Sequence, residues 1–410
     1  MSESNMLGNS IGRRQFAFVG FLFLNALTWW YMTNLLVSES LRSIQATDIQ
    51  TLTVQGMFLG TTILFCLLGA LLGSRVKRSV IVLVWIVAGA SATLVSAFVL
   101  RNLLSLDFLN VVAFSYGASF GIGLPACLSY FARSTSFENR GHRGGIVLFV
   151  TFLLVPFLTF SFGSDLWVDA LLSGLWRVIG LLVFAIKPKE EVFAEKGGED
   201  MSDSTLRNRS FLLYLIPWFM FCLIDRFEAS VLENAMDQGL RDFAEIVAPV
   251  AGIVFALVGG FLCDWVGRKK VIVSGFIALG LAYAALGLLP SSPYSITFYI
   301  LVDGVAAGIF TLRFVLVIWG DLASSRPRML EKYYALGVTP YFIANLMHYV
   351  ASIFVGVVPK EASFSLASLF LFVAVLPLMY APETLPEKKI KEREMKDYIE
   401  KAKKAREKSG

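Results

Sequence analysis

Asp225, Glu228, Asp303 and Arg313 are ionisable residues set inside long apolar runs. A charge at the centre of a bilayer-spanning helix costs about 2.5–3.5 kcal/mol on insertion scales, so such residues turn toward a cavity or partner and mark solute or proton paths. Asp225 and Glu228 are three apart and share a helix face, which Tyr214, Trp218 and Phe221 extend inward. A carboxylate held between an apolar wall and a cation can take up and release a proton as its surroundings change. Asn25 and Trp29 at i, i+4, with Tyr341, Asn345 and His348 at i, i+4, i+7, add polar stripes that suit a solute cavity. His348, one of two histidines, fits either a proton relay or a structural hydrogen bond between helices. Glu228 and Arg226 have the outer interface as their alternative, and Arg313 a reach to the inner headgroups. Asp303 is too short for that. Arg177, midway along another run, is expected to pair with Asp169.

The elements that position these groups follow from composition. The chain of 410 residues is 56% hydrophobic and 16% charged, with mean hydropathy +0.67. A spanning helix needs about 20 mostly apolar residues. Candidates fall at 16–37, 54–73, 79–99, 108–131, 144–163, 166–186, 210–229, 243–262, 271–289, 294–320, 334–357 and 363–380. A hydrophilic stretch, 187–209, divides them six and six. The expected fold is all-α, with bundles at 1–186 and 210–387 and a charged tail at 388–410. That tail reads as a solvated helix or a headgroup-binding strip. Lys and Arg are retained on the cytoplasmic side. With a cytoplasmic N-terminus, 29 of them fall in inner segments and five in outer ones: Arg42, Arg101, Arg226, Arg241 and Lys360. Both termini are therefore expected inside. The twin arginine at 13–14 precedes a run too long for a cleaved signal. Cys66, Cys127, Cys222 and Cys263 have no CxxC spacing, so neither a disulfide framework nor a zinc site is expected.

Two anchors repeat. Gly69-ALLGSRVKRSVIV lies over Gly260-FLCDWVGRKKVIV at an offset of 191, and Gly117 and Gly121 over Gly304 and Gly308 at 187. Duplicated halves are common in secondary transporters. The second anchor holds Gly260, Asp264, Gly267, Arg268 and Lys269, and this spacing resembles the loop signature of the major facilitator superfamily. Glu138-Asn139-Arg140-Gly141 is similar to that family's Arg-Gly loop, and Pro382-Glu383-Thr384 to a tripeptide of its sugar-porter branch. The resemblance implies two six-helix bundles around a central cavity lined by spans one, four, seven and ten. It also implies that Asp264 meets the start of span five, at Arg143-Gly144-Gly145, as a latch on the inner side. A helix N-terminus favours an anion by about 0.3–1 kcal/mol. Gly267 permits the tight turn. The first half departs from the signature: Gly73 stands where the Asp belongs and Val76 where the Gly belongs. Its basic loop could meet Glu331 instead.

No GxxxxGK[ST] loop occurs, so no site for ATP phosphates is expected. The net charge of +5 sets orientation and does not point to nucleic acid. No cofactor and no enzymatic constellation are expected. The reading is a monomeric secondary transporter in the cell membrane, moving a small polar metabolite by alternating access with proton symport. The alternatives are an exporter of amphipathic compounds and a nontransporting membrane receptor that keeps the fold.

Overall fold

A computed structural model describes residues 3–73, 75–159, 165–186, 205–233, 236–352, 359–385 and 395. Most of the expected linker and nearly all of the tail lie outside the described residues. Among the described residues, twelve long helices account for the twelve expected spans. They are α1 (Glu3–Ser43), α2 (Asp48–Gly73), α3 (Arg78–Asn102), α4 (Leu106–Ser134), α5 (Arg140–Thr159), α6 (Leu166–Ala185), α7 (Arg209–Glu233), α8 (Gln238–Trp265), α9 (Arg268–Leu288), α10 (from Pro293), α11 (Leu330–Ser352) and α12 (Lys360–Tyr380). Apolar runs of this length become helices because hydrocarbon offers no partner for the backbone, and a helix bonds its own N–H and C=O groups. Eleven of the twelve are long and apolar enough to cross a membrane. The exception is α11, which carries Glu331, Lys332, Asn345 and His348 and packs between the two halves against α2, α4 and α7. Val95, Phe98, Val111 and Phe157 are each more than 60% exposed, as lipid-facing side chains are. The chain is a multi-pass membrane protein.

Helices α1–α6 pack among themselves, as do α7–α12. The repeated glycines explain the closest contacts. A Cβ at Gly117 would lie 2.1 Å from the Phe58 carbonyl oxygen, and one at Gly121 2.4 Å from that of Thr62. In the second half, Gly304 and Gly308 press in the same way on Ala248 O at 2.5 Å and Gly252 O at 2.3 Å. Small residues let membrane helices approach backbone to backbone, here α2 on α4 and α8 on α10.

Helix α10 runs α-helical to Thr311, widens to a π-helical turn over Leu312–Val317, and resumes at Ile318–Leu322. The cause is visible in side chains. Arg313 Nη1 donates to Ile309 O at 3.0 Å, the carbonyl an α-helical Arg313 N–H would use. Trp319 Nε1 donates to Phe314 O, and Tyr334 Oη to Leu316 O at 2.8 Å. Side chains that insert into the ladder widen it.

Candidate functional site

Between the two halves lies a cavity of about 610 Å³. Its walls come from α1, α4, α5, α7, α8, α10 and α11, with Trp30, Phe120, Phe152, Trp218, Pro249 and Phe342 among them. It runs outward past Thr159, the last residue of α5, and Glu245, in the second turn of α8. Polar groups are few: Tyr31, Arg226, Asp303 and Tyr341 gather in one region, with Glu245 toward the mouth.

Asp303 sits on α10 with its Oδ1 buried and without a hydrogen-bond partner. The Tyr299 hydroxyl borders the carboxylate and meets Tyr283 Oη at 3.0 Å. On α7, Arg226 Nε binds Asp225 Oδ2 at 3.0 Å. The same guanidinium feels Tyr31, Tyr341 and Asp303 electrostatically. Trp218 stacks on Phe314 with centroids 4.8 Å apart and donates from Nε1 to Gly337 O at 3.0 Å. The expected residues that reach the cavity are Asp303, Trp218 and Tyr341, with Asp225 behind them through Arg226.

Several expectations are corrected. Asn25 and Trp29 turn away from the cavity toward α6: Asn25 Nδ2 donates to Trp176 O at 2.7 Å, and its Oδ1 accepts from Arg177 Nη1 at 2.9 Å. Arg177 makes no ion pair with Asp169. It lies over the rings of Trp29 and Trp85, at 5.3 and 4.4 Å from their centroids. Trp30, not Trp29, lines the cavity, because one residue is a 100° rotation on a helix. Arg313 is fully buried against α8, with Nη2 donating to Gly259 O at 3.3 Å, and reaches neither the cavity nor the headgroups. Tyr214 donates to Pro382 O at 2.6 Å, beyond the end of α12. Glu228 is buried inside the second half, near Tyr283, with Oε2 lacking a partner. Asn345 donates to the Tyr341 carbonyl within its own helix at 2.7 Å, and His348 Nδ1 meets Arg226 O at 3.0 Å. These two hold α11 and α7 in shape instead of lining the cavity.

At the end opposite the mouth the halves are fastened together. Asp264, at the end of α8, accepts from Gly141 N at 3.1 Å and His142 N at 2.7 Å, the first turn of α5. The expected carboxylate on a helix N-terminus is there, one and two residues before Arg143. Arg143 instead donates to Ser134 O at 2.9 Å and covers Phe16. The approach depends on glycine: a Cβ at Gly260 would lie 2.6 Å from Gly141 O. Gly267 takes the turn at φ 111°. Arg268 then binds Asp321 Oδ2 at 2.8 Å and Phe137 O at 2.5 Å. Arg140 of the first half binds the other oxygen of Asp321, and Thr384 Oγ1 donates to Asp321 at 3.2 Å. Glu383 accepts from Arg268 N and Lys269 N, each at 3.0 Å, so a second carboxylate caps a second helix. Lys269 Nζ closes on Met379 O and Ala381 O at 2.7 and 2.9 Å. Asp321, the hub of this network, escaped the sequence reading. Its only signal was an acid at the end of span ten, opposite two arginine loops.

No protein-family model matches the chain, and no curated protein matches its sequence. Among solved structures, the major facilitator superfamily proton:xylose symporter XylE, bound to 6-bromo-6-deoxy-D-glucose, superposes with a TM-score of 0.68. The match covers 92% of this chain and 97% of that one at 15% identity. The chain has the major facilitator fold. Glu383 and Thr384, which carry the likeness to the sugar-porter branch, bond the start of α9 and Asp321 at the end where the halves are fastened.

Proposed function

We propose that this chain is a secondary transporter of the cell membrane, with both termini cytoplasmic, that carries a small organic solute by alternating access and links it to a proton held on Asp303. The bodies that move are the bundles at 1–186 and 210–387. One observation carries the reading: the cavity leads away from the latch end, and the bonds that shut that end cross from one half to the other. They run from Gly141 and His142 to Asp264, from Arg140 to Asp321, and from Arg78 to Glu331. Contacts of that kind can be exchanged for others when the halves rock, whereas bonds within a half cannot. Asp303 is suited to carry a proton because its carboxylate stands in the cavity wall with one oxygen unengaged.

The solute is amphipathic. This was the second expectation, and the lining favours it over a small polar metabolite. Among the described residues no Asn or Gln lines the cavity, and a polyhydroxylated solute would leave most of its hydrogen bonds unmade there, at about 1–3 kcal/mol for each buried group. The protein, reconstituted in liposomes with an imposed proton gradient, is expected to accumulate such a solute, and Asp303→Asn to abolish the accumulation. Unchanged accumulation by Asp303→Asn would remove the proton linkage. Spin labels at Asn139 and Lys270 that never separate would remove the alternating-access reading.

A further inference from the structure

The charges inside the chain's apolar runs include both signs, so the sequence alone indicates neither a cationic nor an anionic solute. The tertiary structure sorts them. Arg177 is enclosed by Asn25, Trp29 and Trp85 within the first half, and Arg313 is committed to backbone carbonyls of α10 and α8. Neither lines the cavity. Arg226 does, but Asp225 binds it at 3.0 Å and balances its charge. Among the described lining residues, two acids then stand against one cation: Asp303, which shares Arg226 with Asp225, and Glu245, exposed near the mouth.

From this geometry we infer that the solute is a monovalent organic cation with an aromatic or aliphatic body, seated with its charge at Asp303. The inference rests on the transport reading above and names its substrate class. A buried carboxylate oxygen without a partner is costly, and an ammonium or phosphonium centre supplies the missing charge. The rest of the site suits the body of such a molecule. Trp30, Tyr31, Tyr341 and Phe342 form one aromatic cluster, with Trp30 centroids 5.1, 5.9 and 6.0 Å from the other three. Aromatic faces attract a cation by about 0.5–2 kcal/mol each, the larger values where water is excluded. A cavity of about 610 Å³ falls in the size range that encloses drug-sized ligands. Glu245 places a second negative charge on the way in, which raises the local concentration of cations.

The test uses the purified full chain in detergent and tritiated tetraphenylphosphonium, with tetraphenylborate as a probe of the same shape and opposite charge. Saturable phosphonium binding is expected, displaced by dodecyltrimethylammonium but by neither tetraphenylborate nor D-xylose. Asp303→Asn is expected to weaken it at least tenfold, and Glu245→Gln about two- to threefold. Displacement by the borate or the sugar, in the unaltered protein, would overturn the inference whatever the variants do. So would an Asp303→Asn protein that folds and binds the phosphonium as before. Uptake separates this from the transport reading. Asp303-dependent accumulation of a neutral or anionic solute, and of no cation, would leave a transporter with a different substrate. Accumulation of no solute together with fixed Asn139–Lys270 label distances would remove the transporter itself.

Discussion

The α2–α3 and α8–α9 loops occupy the same place in the repeat, yet they fasten the halves by different chemistry. At α8–α9, Asp264 sits on the N-terminus of α5 and Arg268 enters a buried network with Asp321 and Arg140. At α2–α3 the acid belongs to the other partner: Arg78 pairs with Glu331 at the start of α11. Gly73, standing where the signature has its Asp, leaves room for that acid, because a Cβ there would already lie 2.9 Å from Glu331 Cγ. In both fasteners an acid of the second half meets a positive group of the first. The repeat therefore keeps the positions of the two fasteners, while the sign that the loop supplies is reversed: an acid at α8–α9 and a base at α2–α3. The burial differs too. Arg268 and Asp321 are shut off from solvent in their side chains, whereas Arg78 keeps 17% exposure.

That difference ranks the substitutions. Asp321→Asn leaves Arg140 buried without its counter-charge and Arg268 with Asp264 alone, at 3.5 Å, and removing one partner of a buried pair costs about 3–5 kcal/mol. The largest effect is expected here, read as loss of the latched population in spin-label distances between Asn139 and Lys270. Latching that survives Asp321→Asn would show that the buried network is not what separates the two fasteners. Asp264→Asn keeps an acceptor for the Gly141 and His142 N–H groups but removes the anion from the helix end. A loss of about 1–2 kcal/mol is expected, with the latch populated less but not abolished. Arg78→Ala should cost about 1–2 kcal/mol: it strands Glu331, whose side chain is 2% exposed, but Arg78 itself is 17% exposed and Glu331 keeps the favourable first turn of α11. Its double variant Arg78→Glu/Glu331→Arg is expected to recover the loss, and failure to recover would mean that packing at Gly73, and not charge, holds that side.

Much of this was legible before any coordinates. Twelve runs became twelve helices, eleven of them on length and hydropathy alone, while the more polar α11 packs between the two halves. The glycine repeat marked the two tightest helix contacts, and Asp264 with Gly267 marked one latch. Glu331 was also matched to the basic loop of the first half. The cavity was read less well. Of the stripe at Asn25 and Trp29, the neighbouring residue Trp30 faces the space between the halves, and the two polar positions serve Arg177. Tyr214, Glu228, Asn345 and His348 carry the right chemistry on sides of their helices that meet other helices of the same half, or their own backbone.

The linear order of residues thus settled the number of spans, the duplication and the places where the chain turns, since these depend on local periodicity and on the cost of an unpaired peptide group in hydrocarbon. Which charge meets which was settled only when helices distant in sequence came together. Asp321 became a hub because Arg140 lies 181 residues away along the chain and beside it in space. Asp303 was left as the inner wall's acid because Arg177 and Arg313 were drawn into contacts elsewhere. Electrostatic energy depends on separation in space, and rotation about a helix axis alone carries a side chain from the cavity to the interior of a bundle.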